Sequence, residues 1–322
     1  MSTQAPILFL VFNRYHTTIQ VFETIKKERP KKLYISADGP RDDVDDDLKK
    51  CAEVRKIFEM IDWDCEVFTL FQDNNLGPCK SQIAAINWFF EHENEGIILE
   101  DDALPDKTFY MFCYLLLDKY RHDHRVSMIS GCNFQQQNKH GNADYYFSKH
   151  TNTYACAMWK RSWNLMDTNL VDWPDFLNAG GIDDFSNSSG VRRRFKEAFN
   201  GIYENPKLTY WDFLFMFSSL KNGALSIAPN VNLVKNIGFG PGATNPVDTD
   251  SAQAMLETFN INLPLKHPSI ISRNLIADEF ESITSHYKRS VIEKIIYYFF
   301  SWRKLYYILR SKYLRWRNSK KK

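Results

Sequence analysis

The apolar run Gly96–Leu99 leads straight into three carboxylates, Glu100, Asp101 and Asp102, in the segment IILEDDALP. Three adjacent carboxylates repel one another and are costly to gather without a cation among them. Mn²⁺ and Mg²⁺ take hard oxygen ligands, commonly one or two carboxylates completed by phosphate oxygens and water. A cation seated on Asp102 could neutralise charge developing on a departing diphosphate. The competing reading is a solvated turn or a helix start, where acids are also favoured.

Other chemistry-bearing residues lie further along. Asp212, in TYWDFLF, follows Trp211 and precedes the apolar run Phe213–Phe217. A carboxylate in a partly apolar pocket suits deprotonation of a hydroxyl, and the same residue would equally cap the following helix. Asp183 and Asp184 in GGIDDF are rival bases, or part of a loop touching an acceptor. Asn75, Gly77 and Lys80, in NNLGPCK, precede a helix whose first amides suit phosphate; a simple turn is the alternative. Trp159, Trp163 and Trp173 offer faces on which a sugar could rest, or fill a core. The histidines show no metal spacing. Six scattered cysteines without a CxxC pair read as free thiols in a reducing compartment.

These residues need elements to position them. Pro6–Phe12 is a continuous apolar run, as in a strand buried on both faces. Strands are also expected over Lys32–Ser36, Cys65–Phe71 and Gly96–Leu99, with helices over Thr17–Lys27, Leu48–Ile61 and Lys80–His92. This alternation predicts a doubly wound α/β sheet, in which ligands bind beyond the carboxyl ends of the strands. Three of the four strands end in polar candidates, Asn13 and Arg14, Asp38, and Glu100 to Asp102, with Phe12 and Gly39 beside the first two as further donor-contacting candidates. Later, helices are expected over Phe109–Tyr120, Arg192–Asn200 and Trp211–Lys221, and strands over Val126–Ser130 and Ala224–Ile227. Asn236–Asn245 is a Gly-rich loop.

The chain has 322 residues, 44% of them hydrophobic and 15% aromatic, with a net charge of +2. That charge is unevenly spread. Residues 288–322 hold 12 Lys/Arg and one acid, Glu293, leaving 29 basic against 38 acidic residues elsewhere. In that tail Val291, Ile295, Phe299, Trp302, Tyr306, Leu309, Tyr313 and Trp316 recur every three or four positions. The pattern fits a basic amphipathic helix lying on an anionic membrane surface; packing on its own domain or a second copy is the alternative. No recognised nucleic-acid module accompanies the charge. No run of about 20 apolar residues suggests a membrane span, and the N-terminus lacks signal-sequence features. The expectation is a cytoplasmic protein, peripheral to the inner face of the membrane, with a main domain over 1–285 (halves of about 1–105 and 106–285) and a tail over 286–322.

The order FNR, ISADGP, NNLG, ILEDD resembles bacterial GT-A nucleotide-sugar transferases of polysaccharide gene clusters. It is also similar to the eukaryotic N-acetylglucosaminyltransferases that begin complex N-glycans. The likeness covers roughly residues 5 to 246. It implies a GT-A, Rossmann-like doubly wound mixed sheet, to which the periodic tail would add a C-terminal amphipathic helix. It further implies Arg14 on the donor diphosphate or nucleoside, Asp38 on the uridine or ribose, Glu100 and Asp101 on donor sugar and ribose, and Asp102 on Mn²⁺ or Mg²⁺. Asp212 would be the base of an inverting transfer, beside Trp211, and Gly242, Thr244 and Asn245 would close over the donor. Two positions depart from the pattern: Ala84 and Ala85 occupy a stretch where the family carries a His, and Asn245 stands where related bacterial sequences often have one.

The expected function is therefore transfer of a sugar, from a donor such as a UDP-sugar, to a glycan or lipid-linked glycan in surface polysaccharide synthesis. The alternatives are a non-catalytic sugar- or membrane-binding module and a sugar nucleotidyltransferase. The latter usually has a Gly-rich phosphate loop after its first strand, which FNRYHTT lacks.

Overall fold

The computed structural model describes residues 4–205, 210–239 and 256–284. In chain order the first elements are β1 (Ile7–Val11), α1 (Tyr15–Glu28), β2 (Lys32–Ala37), α2 (Asp47–Lys56), β3 (Glu66–Phe71), α3 (Pro78–His92), β4 (Glu95–Glu100) and β5 (Ala103–Pro105). There follow α4 (Phe109–Tyr120), β6 (Val126–Ser130), β7 (Tyr145–Ser148), β8 (Ala155–Trp159), α5 (Lys160–Trp163) and α6 (Trp173–Asn178). The last are α7 (Ser189–Glu204), α8 (Trp211–Lys221), β9 (Leu225–Pro229), β10 (Val234–Asn236) and α9 (Leu275–Thr284). The expected Leu48–Ile61 helix divides at Ile57 into α2 and a short 3₁₀ turn.

Eight strands form one mixed sheet in the order β3-β2-β1-β4-β8-β6-β9-β7, and β5 and β10 pair as a separate antiparallel ribbon. Strands β3, β2, β1 and β4 are parallel, as the strand–helix alternation requires, whereas β8 runs against both β4 and β6. This is the Rossmann-like α/β class that the sequence predicts.

The strand pattern explains the layers. Ile7, Phe9 and Val11 of β1 face one cluster with α1 and α4; Leu8 and Leu10 face the other with α3 and α8. Alternate residues on both faces are thus buried, so the strand reads as a continuous apolar run rather than an alternating one. Each such side chain contributes about 1.5–3 kcal/mol of burial. A third cluster joins α6, α7 and α8 around Trp173, Phe195 and Phe199.

Helix α9, the last element among the described residues, is held by buried carboxylates. Asp278 accepts from the Ser148 hydroxyl at 2.6 Å, from the Lys149 N–H at 3.1 Å and from Arg273. Glu281 accepts from the Asn152 amide at 2.9 Å and from Gln135 at 3.3 Å. No helix among the described residues is long and apolar enough to cross a membrane. The expected closing residues Gly242, Thr244 and Asn245, and the basic tail, lie outside the described residues.

Candidate active site

The parallel register aligns the ends of three strands. Val11 pairs with Ala37 and Leu10 with Glu100, so the residues after β1, β2 and β4 emerge at one sheet edge. The β5–β10 ribbon continues from β4 at this edge, and the Ile237 N–H donates to the Asp102 carbonyl at 2.8 Å.

Arg14, just after β1, is bound to both aspartates of the triplet. Its Nη1 donates to Asp102 Oδ2 at 2.9 Å, its Nε to Asp101 Oδ2 at 3.3 Å, and its Nη2 to Asp101 Oδ1. Burial pulls the guanidinium's pKa down, but the two carboxylates outweigh it and hold the group above its ordinary value. Burial pushes the Asp101 carboxyl up, while Arg14 and the Phe12 N–H oppose that shift. Burial, then Asp102, Asp101 and Asp212, push the Glu100 carboxyl well above the usual range.

Asp102 Oδ1 is buried and has no hydrogen-bond partner among the described residues. Burying a carboxylate oxygen without a donor is costly. A hard divalent cation is the partner such an oxygen fits. Among the described residues no three His, Cys, Asp or Glu side chains form a metal cage. The donor set therefore suits a cation held by one carboxylate and completed by substrate phosphate and water. Gly238 closes over this point: a methyl built on it would overlap Asp102 Oδ2 and lie 2.9 Å from Arg14 Nη1.

Asp38 binds the protein itself. Its Oδ1 accepts from the Gly39 and Leu76 N–H groups, both at 2.9 Å; its Oδ2 accepts from the Gly77 N–H and the Asn75 amide, both at 3.1 Å. Asn75 also donates to the Gly39 carbonyl at 2.8 Å. Gly39 abuts the Asn74 backbone, leaving no room for a Cβ. The carboxylate expected on uridine also clasps the 74–77 loop onto the end of β2. Lys80 is exposed on α3 beyond that loop.

Asn13 is likewise engaged, donating to Asp47 Oδ1 at 2.7 Å. Asp47, fully buried, also accepts from Arg41, whose guanidinium lies 5.4 Å from the Phe12 ring centre. Arg41 thus stands at the same edge, although the sequence reading passed over it. Its only signal was its place after ISADGP.

Asp212 sits in the first turn of α8, whose N-cap is Tyr210, and accepts from the Phe213 N–H at 2.9 Å. It belongs to the triplet's neighbourhood, since its charge raises the Glu100 carboxyl. The tryptophans do not supply the expected acceptor platform. Trp211 is 3% exposed and packs on Trp163, ring centres 5.8 Å apart. Trp159 is 2% exposed and pairs with Glu95, at the opposite end of β4 from the triplet. Both rings are core because strand and helix point them between layers. Asp184 is ion-paired with Lys149, and Asp183 lies 3.5 Å from Arg192, in the region between α6 and α7.

No protein-family model matches the sequence, and no curated protein matches it. Two solved structures of HddC from Yersinia pseudotuberculosis, one complexed with GMP-PN, are similar at 9% identity and a TM-score of 0.30. Each match covers 49% of this chain and 78% of that one. A cytidylyltransferase from Leptospira borgpetersenii serovar Hardjo-bovis is similar at 8% identity and a TM-score of 0.30, over 64% of this chain and 73% of that one. Likeness at this level assigns no activity, so the functional reading rests on the residues at the sheet edge.

Proposed function

We propose that the protein is a divalent-metal-dependent glycosyltransferase acting on a nucleoside-diphosphate sugar, UDP-linked, with a glycan hydroxyl as acceptor. The observation that carries this reading is Asp102, with one buried carboxylate oxygen unpartnered among the described residues, beside Arg14 at the shared edge of β1 and β4. In this reading Asp102 holds Mn²⁺ or Mg²⁺, which would neutralise the leaving diphosphate. Arg14 meets the diphosphate, and Asp101 aims Arg14. The clasped 74–77 loop, ending at the start of α3, borders the donor. Asp212 accepts the proton of the acceptor hydroxyl as its oxygen bonds to the anomeric carbon. The bond from that carbon to the diphosphate breaks with its electron pair on the diphosphate, inverting the centre.

Purified protein given Mn²⁺ and a panel of UDP-sugars should release UDP, and Asp102→Asn should slow release by about a hundredfold or more. Unchanged turnover in Asp102→Asn would sink the proposal. Release of pyrophosphate from a nucleoside triphosphate and a sugar phosphate would instead mark nucleotidyl transfer.

A further inference from the structure

The guanidinium of Arg14 lies where a metal ion would be electrostatically welcome. One positive charge is shared between Asp101 and Asp102, whose side chains are only 5% and 13% exposed. Arg14 turns a different edge of its fork to each aspartate. Nε and Nη2 grip Asp101, and Nη1 alone reaches Asp102. Gly238 lies so near that a Cβ there would overlap Asp102 Oδ2 and come within 2.9 Å of Arg14 Nη1, so the pair has little room on that side.

We propose, building on the assignment of Asp102 as the cation's ligand, that Arg14 is a resident counter-cation that holds metal affinity low until a nucleoside diphosphate arrives. Metal and donor then bind as a coupled pair. A divalent ion on Asp102 Oδ1 would sit a few ångströms from a fixed positive charge, and with little water between them that repulsion is strong. A diphosphate removes it in two ways. It offers Nη1 a new anionic partner suited to the guanidinium fork, and it brings the phosphate oxygens that a single-carboxylate metal site lacks. Asp101 keeps its two-pronged hold meanwhile, so Arg14 need move only its outer edge. By linkage, the factor by which donor tightens metal equals the factor by which metal tightens donor.

The test uses the full chain and Mn²⁺ alone, with free aquo-Mn²⁺ read by electron paramagnetic resonance. Without nucleotide, Arg14→Gln should bind Mn²⁺ at least about tenfold more tightly than the native chain. The gain should vanish in Arg14→Gln/Asp102→Asn, and Arg14→Lys, which keeps the charge, should bind as weakly as the native chain. Adding UDP should tighten Mn²⁺ binding strongly in the native chain and far less in Arg14→Gln. Equal Mn²⁺ affinities for the native chain and Arg14→Gln would overturn the proposal. Should Arg14→Gln fail to fold, the native chain decides alone: Asp102-dependent Mn²⁺ binding that UDP leaves unchanged overturns it, and tightening by UDP supports it. Failure of the glycosyltransferase reading looks different, because Asp102→Asn would then leave Mn²⁺ binding with UDP untouched.

Discussion

At position 238 one methyl group decides whether two charged side chains can meet. Gly238 lies against Asp102 and Arg14 so closely that a Cβ would overlap the carboxylate. The neighbour is no flexible chain end, because Asp102 is fixed by Arg14 and its carbonyl by the Ile237 N–H. Gly238→Ala should therefore displace the 237–239 backbone or break the Arg14–Asp102 contact. We expect UDP affinity in the presence of Mn²⁺, measured calorimetrically, to fall about tenfold or more, a loss of roughly 1.4 kcal/mol. Unaltered affinity would show that the close approach is dispensable. The sequence marked 236–245 as a Gly-rich loop, but which glycine bears on Asp102 depends on the β5–β10 register, and nothing local encodes that. The triplet itself was legible, because three acids after an apolar strand are anomalous on electrostatic grounds. The contacts of Asp38 and Asn13 were not, because Asp38 meets a loop 37 or more residues on and Asn13 meets Asp47, 34 residues on, and nothing local to either residue encodes those meetings.

Elements show the same division. Helices α4 and α8 and strand β6 have the boundaries that periodicity predicts, since each carries a full apolar face. The ribbon β5–β10 was missed because strands of three residues have no period to read. Strand β8 was hidden within an aromatic-rich stretch, and its antiparallel course followed from no local signal. The 74–77 loop is held chiefly by the Asp38 carboxylate, with the Asn75 amide adding one bond to the Gly39 carbonyl. Asp38→Asn would put an amide where four donors converge and leave two of them without an acceptor, destabilising the chain by about 2 kcal/mol. Thermal denaturation should shift down accordingly. Hydrogen exchange should accelerate at Leu76 and Gly77 ahead of the sheet, and uniform protection there would refute the clasp.

For the whole molecule, the mixed sheet was foreseeable in class and not in strand order. The parallel half follows from alternation, but the places of β6 and β9 and of the reversed strands β7 and β8 are set by tertiary pairing. Stability should also carry a pH signature. Burial pulls the His140 imidazole below its ordinary 6.5, with Asp278 opposing. Its Nε2 lies 2.8 Å from Gln135 Oε1, and its ring packs 5.3 Å from Tyr146. As pH falls through about 6.5 the unfolded chain takes up this proton before the folded one does. Stability is therefore full above that pH and declines below it. Melting temperature should drop between pH 7.5 and 5.5, and the drop should be shallower in His140→Gln. An equal slope in both proteins would remove His140 from the account.

Because β8 runs against β4, the chain entering β8 arrives at the same edge where β4 delivers its carboxylates. Leu99 pairs with Ala155, and the Glu100 N–H donates to the Tyr154 carbonyl at 3.2 Å. The residues just ahead of Ala155 thus border Glu100 from the side of β4 that faces away from β1. An exchange within that short stretch would therefore change what surrounds Glu100 while leaving the contacts of Asp38 with residues 75–77 as they are.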